Sequence, residues 1–288
     1  MQRLFACFLL LAAGASALSG QRITVYSEFQ RPRPDGEICR ADRAPSRREI
    51  LSPALVRNGR ASFLFTVQAP PGEPYTVYIA QNPDNTAKAA VYQLVYVDAD
   101  GEWIPDGLKP VEQPLQAVLD PGQAAQAYLL DLFLPESTPV ERFRLEIQLH
   151  AGGTWVIYPM EMRPMERVAP AARPLRGLLA PVAARADETV AAALRSELCQ
   201  TQGARDALPE QKPDTLRAII LRNALQDLAL ARTIPAFALD RLPRAGGWAS
   251  REAFCQTPGP APRGPEWWLR VRGHLYQGQR VPELEPQP

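Results

Sequence analysis

Histidine occurs twice in the chain, as His150 and His274, and neither has a second histidine near it in sequence. A Ser-His-Asp triad or a histidine-rich metal site therefore has almost no material to draw on. The patterns GxSxG, HExxH, GxxxxGK(S/T), GxGxxG and CxxC are all missing. We expect no metal, no cofactor and no catalytic residue. A pair of carboxylates from any two places in a chain can hydrolyse a glycoside, and Asp84, Asp98 and Asp100 are the candidates. All three lie at turn positions, where an acid ordinarily bonds the local backbone.

Three stretches could bind instead. Trp267 to Tyr276 alternates, which predicts a strand with Trp268, Arg270, Arg272, His274 and Tyr276 in a row on its outer face. Aromatic rings stack on sugar or peptide, and arginines pair with anions. The competing reading is that these side chains dock onto the rest of the fold. Arg31 to Arg60 holds eight arginines against four acids, and Pro32, Pro34, Pro45 and Pro53 keep it extended. It is either a functional loop or a flap whose arginines pair with acids below it. The third stretch, an apolar helical stripe around Ile219, reads as core.

The elements that would position these residues fall into two halves. Phe63, Phe65 and Val67 alternate, as do Tyr75, Val77 and Ile79, and Phe143 to Leu149 does so most cleanly. Ile23 to Tyr26, Val91 to Val97, Tyr128 to Leu134 and Trp155 to Tyr158 complete the set, with Met160 to Met162 as a continuation. Turn chemistry falls between them at Pro70-Pro71-Gly72, Asn82-Pro83-Asp84-Asn85, Asp100-Gly101, Asp106-Gly107, Asp120-Pro121-Gly122 and Gly152-Gly153. Seven or eight short strands over 21–166 predict a mainly β fold, an antiparallel immunoglobulin-like β-sandwich.

A Pro-, Ala- and Arg-rich linker over 167–185 follows, then a helical region over 186–257. Its first helix is capped by Asp187. Its second carries Leu216, Ile219, Ile220, Leu225 and Leu228 on one stripe, with Arg217, Arg222 and Asp227 off its centre. Residues 258–288 read as a Pro-rich segment with one strand and a disordered tail. The net charge of +1 hides a contrast between the halves. Residues 21–166 hold 14 basic and 19 acidic side chains, while 167–288 hold 17 and 12. Opposite balances suit either docking of one half on the other or two different partners, and neither is basic enough to argue for nucleic acid.

Residues 1–20 have the order of a secretion signal: Arg3, an apolar run from Leu4 to Ala13, then Ala15-Ser16-Ala17 for cleavage. The run is about half the twenty residues that span a bilayer, so no transmembrane anchor is expected in the mature chain. Cleavage near Ala17 would place the protein in the periplasm or outside the cell. The abundance of Ala, Arg and Pro suggests a GC-rich bacterial genome. The leading expectation is an exported non-catalytic binding or assembly module of the bacterial cell envelope, with an envelope protein or a glycan as partner. The alternative is a carbohydrate-active enzyme or its accessory domain, resting on Trp103, Trp155 and Trp268.

Loss of the signal removes Cys7 and leaves Cys39, Cys199 and Cys255. An oxidising compartment permits one disulfide, and the similar stretches around Cys199 and Cys255 favour that pair. Closing so long a loop stabilises by about 4 kcal/mol on the chain-entropy model. Thiol titration of the denatured, unreduced protein is then expected to find one reactive group, and three after reduction. Three before reduction rules the pairing out.

Overall fold

The computed structural model describes residues 20–42, 50–99 and 101–169, with positions 216, 219, 220, 222, 223, 226, 230, 272, 273 and 276–278 of the second half. The signal, Cys199, Cys255, the Asp187-capped helix and the Pro-rich segment at 258–265 lie outside the described residues. So do Asp100, Trp268, Arg270 and His274.

Among the described residues ten strands form in chain order: β1 (Arg22–Ser27), β2 (Ala54–Arg57), β3 (Gly59–Gln68), β4 (Tyr75–Asn82), β5 (Lys88–Ala99), β6 (Glu102–Val111), β7 (Leu115–Ala117), β8 (Gln126–Leu134), β9 (Phe143–Ala151) and β10 (Thr154–Val168). They assemble into two five-stranded sheets, one ordered β1-β3-β8-β5-β6 and the other β2-β10-β9-β4-β7. The fold is mainly β, as the alternation predicts, and each alternating run of residues 21–166 lies in a strand. The expectation of an all-antiparallel arrangement is corrected at one place, since β2 runs parallel to β10.

The two sheets enclose one core. Phe63, Phe65 and Val67 of β3 and Tyr128, Leu130 and Leu132 of β8 face Val77, Ile79, Leu145, Ile147 and Leu149 of the second sheet. Full burial of such side chains contributes about 1.5–3 kcal/mol each. Phe65 and Tyr128 stack with ring centroids 5.3 Å apart. The hydroxyls of Tyr75 and Tyr128 meet at 2.5 Å across the core, each satisfying the other where no water reaches.

The first sheet is buried on its outer side as well across β1, β3, β8 and the start of β5, while Trp103 of β6 stays exposed. Tyr26, Leu64, Leu129 and Tyr92 form one cross-strand row there, and all four are buried. In the adjacent row Asp131, on the central strand β8, has a side chain only 1% exposed. It accepts two hydrogen bonds from Arg222, at 2.6 and 3.1 Å, one from Arg60 at 3.1 Å and one from the Ser62 hydroxyl at 2.8 Å. Asn223 in turn donates to Ser62.

Arg222 belongs to a set of helical positions whose Leu216, Ile219, Ile220 and Leu230 are buried. The spacing placed Arg222 off the apolar stripe, yet its side chain is only 18% exposed. A buried carboxylate requires a cation, and that demand brings the arginine inward. Arg272 does the same for the buried Glu28, at 2.7 Å, with its guanidinium over the Phe29 ring. The basic half thus reaches the acidic half through at least these two pairs.

Other expectations are corrected locally. Asp106-Gly107 is not a turn; it lies inside β6, where the β5–β6 register shifts. Asp106 has no counterpart on β5, so the bulge takes up a residue that the composition made look like a reversal. At Gly107 an added Cβ would come within 3.1 Å of Val95, so the close strand approach fixes that glycine. Arg272, Gly273 and Tyr276 are helical, where a strand was expected. Positions 272 and 276 share a face at either period, four residues on a helix or two on a strand, so alternation there could not separate the two. β10 continues to Val168, past the expected boundary at 166.

Two measurements check this packing. Asp131→Ala leaves Arg222 without its carboxylate, and urea denaturation is expected to show a loss of about 3–5 kcal/mol. Removal of Arg142 from its exposed pair with Glu161 is expected to change stability by less than about 1 kcal/mol. The second measurement is pH dependence. Burial pushes the Cys39 thiol from 9.0 up to about 11 and raises the Tyr75, Tyr96 and Tyr128 phenols above 10.0. The folded chain holds these protons while the unfolded chain releases them, so their stabilisation is complete below about pH 9 and falls as pH rises further. Urea midpoints between pH 7 and 11 are expected to trace that decline; a constant midpoint through pH 11 contradicts it.

Candidate functional site

Where the first sheet is covered outside, the second is open. The alternation that turns Val77, Ile79, Leu145, Ile147 and Leu149 into the core turns the residues between them outward. Strand register sets these into rows across three strands. Trp155, His150 and Thr76 form one row, and Ile157, Gln148 and Tyr78 the next. Pro159, Glu146 and Ala80 come third, then Glu161, Arg144 and Asn82.

Large apolar side chains stand in solvent on the first two rows. Trp155 is 58% exposed, Ile157 48% and Tyr78 44%. The imidazole of His150 packs against the Trp155 indole, with ring centroids 4.7 Å apart at 36°. That contact holds the indole against the sheet. From a strand spacing of about 4.8 Å and a rise of about 3.4 Å per residue, the Tyr78 and Trp155 backbones lie roughly 12 Å apart. Gln148 and His150 of β9 occupy the strip between them.

The charged groups on this face are closed on one another. Arg144 pairs with Glu146 at 2.6 Å and Arg142 with Glu161 at 2.6 Å. Gln148 donates to the other oxygen of Glu146 at 2.7 Å. The result is a flat surface with apolar rings, polar side chains between them, two arginines matched by two carboxylates, and, further along β10, Arg163 held by the Ser52 carbonyl. It can stack, accept and donate hydrogen bonds, and it offers little field to an ion.

The residues singled out from sequence fall elsewhere. Tyr276 is buried and its hydroxyl accepts a hydrogen bond from Gln226 at 2.9 Å, while Arg272 is held by Glu28. Neither stands in an outward row. In the segment 31–60, Arg31 makes a two-pronged pair with Asp42 at 2.7 and 2.9 Å. Arg33 reaches Asp35, Arg57 donates to the carbonyls of Glu136, Met165 and Glu166, and Arg60 reaches Asp131. Among the described residues these arginines are engaged within the fold. Trp103 is exposed on β6, in the other sheet.

Tyr78 and Ile157 were not picked out from sequence. The signal was present, since both interrupt alternating runs at the outward phase, but an aromatic beside a core residue looks like more core. Among the described residues no group of three or more His, Cys, Asp and Glu is placed to hold a metal ion.

No protein-family model matches the chain, and no curated protein matches it. Solved structures give distant likenesses. One is a family 123 glycoside hydrolase from Clostridium perfringens, described for glycolipid glycan hydrolysis, with a TM-score of 0.38 and 10% identity; it covers 63% of this chain and 36% of its own. Another is a DUF4466 family protein from Parabacteroides merdae, with a TM-score of 0.24 and 11% identity, covering 50% of this chain and 45% of its own. The chain thus spans less than half the length of either, and likeness at this level assigns neither family nor activity.

Proposed function

We propose that this chain is an exported, non-catalytic binding or assembly module of the bacterial cell envelope, and that it binds through the outer face of the second sheet. One observation carries the reading: Tyr78, Trp155 and Ile157 stand in solvent together on a sheet whose other face is core. Exposure of large apolar groups in one place works against solubility unless something covers them. Among the described residues the centre of the first sheet is covered on its outer side, and these three side chains of the second are not.

The strand order supports an immunoglobulin-like class for the scaffold. β1-β3-β8-β5 occupies the places of strands A-B-E-D, and β4-β9-β10 those of C-F-G. β2, β6 and β7 are then additions at the sheet edges. Modules of this plan present ligands with a rigid surface, and export after cleavage near Ala17 would put that surface where envelope material is met. A cystine between Cys199 and Cys255 would suit the same compartment. The binding reading is preferred to an enzymatic one because Glu146 and Glu161, the acids on this face, are each committed to an arginine.

A photo-crosslinking residue at Ile157, in the native host, is expected to capture envelope material. The same group at Glu112, exposed at the end of β6, is expected to capture none. Trp155→Ala should abolish the crosslink while changing stability by no more than about 0.5 kcal/mol. Equal capture at both positions, or none at Ile157, overturns the proposal.

A further inference from the structure

We infer that the ligand of this face is a neutral, extended glycan lying across β4, β9 and β10, an assignment that rests on the binding reading above. The charge pattern is the first reason. Beside the stacking rows two arginines and two carboxylates are paired with each other at 2.6 Å, and Arg163, further along β10, donates to the Ser52 carbonyl, so at the rings themselves an anionic or cationic chain would have to break a pair to gain one. A ligand without charge loses nothing by lying over them.

The layout of the apolar groups is the second. A protein interface has a dry, contiguous apolar centre with charge pushed to its rim. Here Tyr78 on β4 is separated from Trp155 and Ile157 on β10 by a full strand bearing Gln148 and His150. The Arg144–Glu146 pair borders that strip directly. Alternating apolar and polar strips suit a pyranose chain, whose ring faces are C–H surfaces and whose edges are hydroxyls. The ring faces would stack on Trp155 and Tyr78, while hydroxyls would meet the Gln148 amide and the His150 imidazole. Two stacking platforms roughly 12 Å apart are reached by one chain that spans both, and a single sugar reaches one.

Affinity gel electrophoresis tests this with hydroxyethylcellulose, galactomannan and laminarin as neutral probes, and polygalacturonate and dextran sulfate as charged ones. We expect retardation by at least one neutral polysaccharide, insensitive to added salt. Trp155→Ala and Tyr78→Ala should each weaken it about tenfold or more, which is about 1.4 kcal/mol. Glu112→Ala should leave it unchanged. Retardation by none of the neutral probes overturns the assignment, and so does retardation that survives both aromatic substitutions. Retardation confined to the charged gels and abolished by salt overturns it as well. Crosslinking at Ile157 to an envelope protein, without retardation by the neutral probes, removes the glycan and keeps the binding face. Absence of both removes the face itself.

Discussion

The Asp131 carboxylate sits on the central strand of the first sheet, facing outward, where a leucine would ordinarily bury itself under a layer of helix. A charge there is tolerable only when paired and fully hydrogen-bonded. Ser62 and Arg60 supply part of that from the sheet. Arg222 supplies the rest from a helical position more than ninety residues later in sequence, and it also brings in the buried Leu216, Ile219 and Ile220. The pairing is directional where an apolar patch alone is not. It fixes which face the described helical positions cover and, at Arg222, in which register. The Gln226 side chain adds to this by exchanging two hydrogen bonds with the Arg60 backbone, at 2.6 and 3.0 Å. The bend just before it explains how that is possible. Asn58 takes a left-handed backbone conformation, with φ at 53°, and Gly59 has no room for a Cβ beside Val56. The chain turns there from the second sheet into the first and exposes backbone to the amide.

Covering one sheet defines the character of the other. With the described helical positions drawn to the first sheet, the outer face of the second sheet keeps Tyr78, Trp155 and Ile157 in solvent. The edges are blunted in the same molecule. β2 has four residues and β7 three, and β6 carries Pro105 and Pro110, which cannot donate to a further strand. Strand addition is therefore poorly served at these three edges, β1 being the fourth, whereas recognition by side chains standing off a flat sheet is well served.

Much of the fold was legible because alternation is a direct record of which face is buried. Phe143 to His150 shows it cleanly: every second residue is core and every other is Arg, Glu, Gln or His. The signal fails where burial occurs on both sides, or where the segment is short. β7 is three residues long, too short for any period, and β2 lies in a stretch whose arginines and prolines suggested a loop. The bulge at Asp106 has turn composition because a bulge and a turn ask the same thing of glycine, a close or unusual backbone. Arg222 shows a different limit. Its inward position depends on a carboxylate distant in sequence, and no local pattern reports that distance. The candidate face was half legible. Trp155 stood out as an aromatic, but its grouping with Tyr78 and Ile157 follows from pairing β4 and β10 on either side of β9, which register alone decides.

Register also makes the face a surface with fixed spacing. Each of the three strands is pinned to the core by alternate residues that are nearly or wholly inaccessible, among them Val77, Leu145, Ile147 and Leu149. Sliding any strand by one residue would turn those into solvent. The stacking rings therefore stand where the core puts them, and the His150–Trp155 contact limits the indole further. A ligand that meets such a platform orders few protein side chains on binding. That reduces the entropic cost that weakens flexible sites, and it lets two modest ring contacts at a fixed separation act on one chain together.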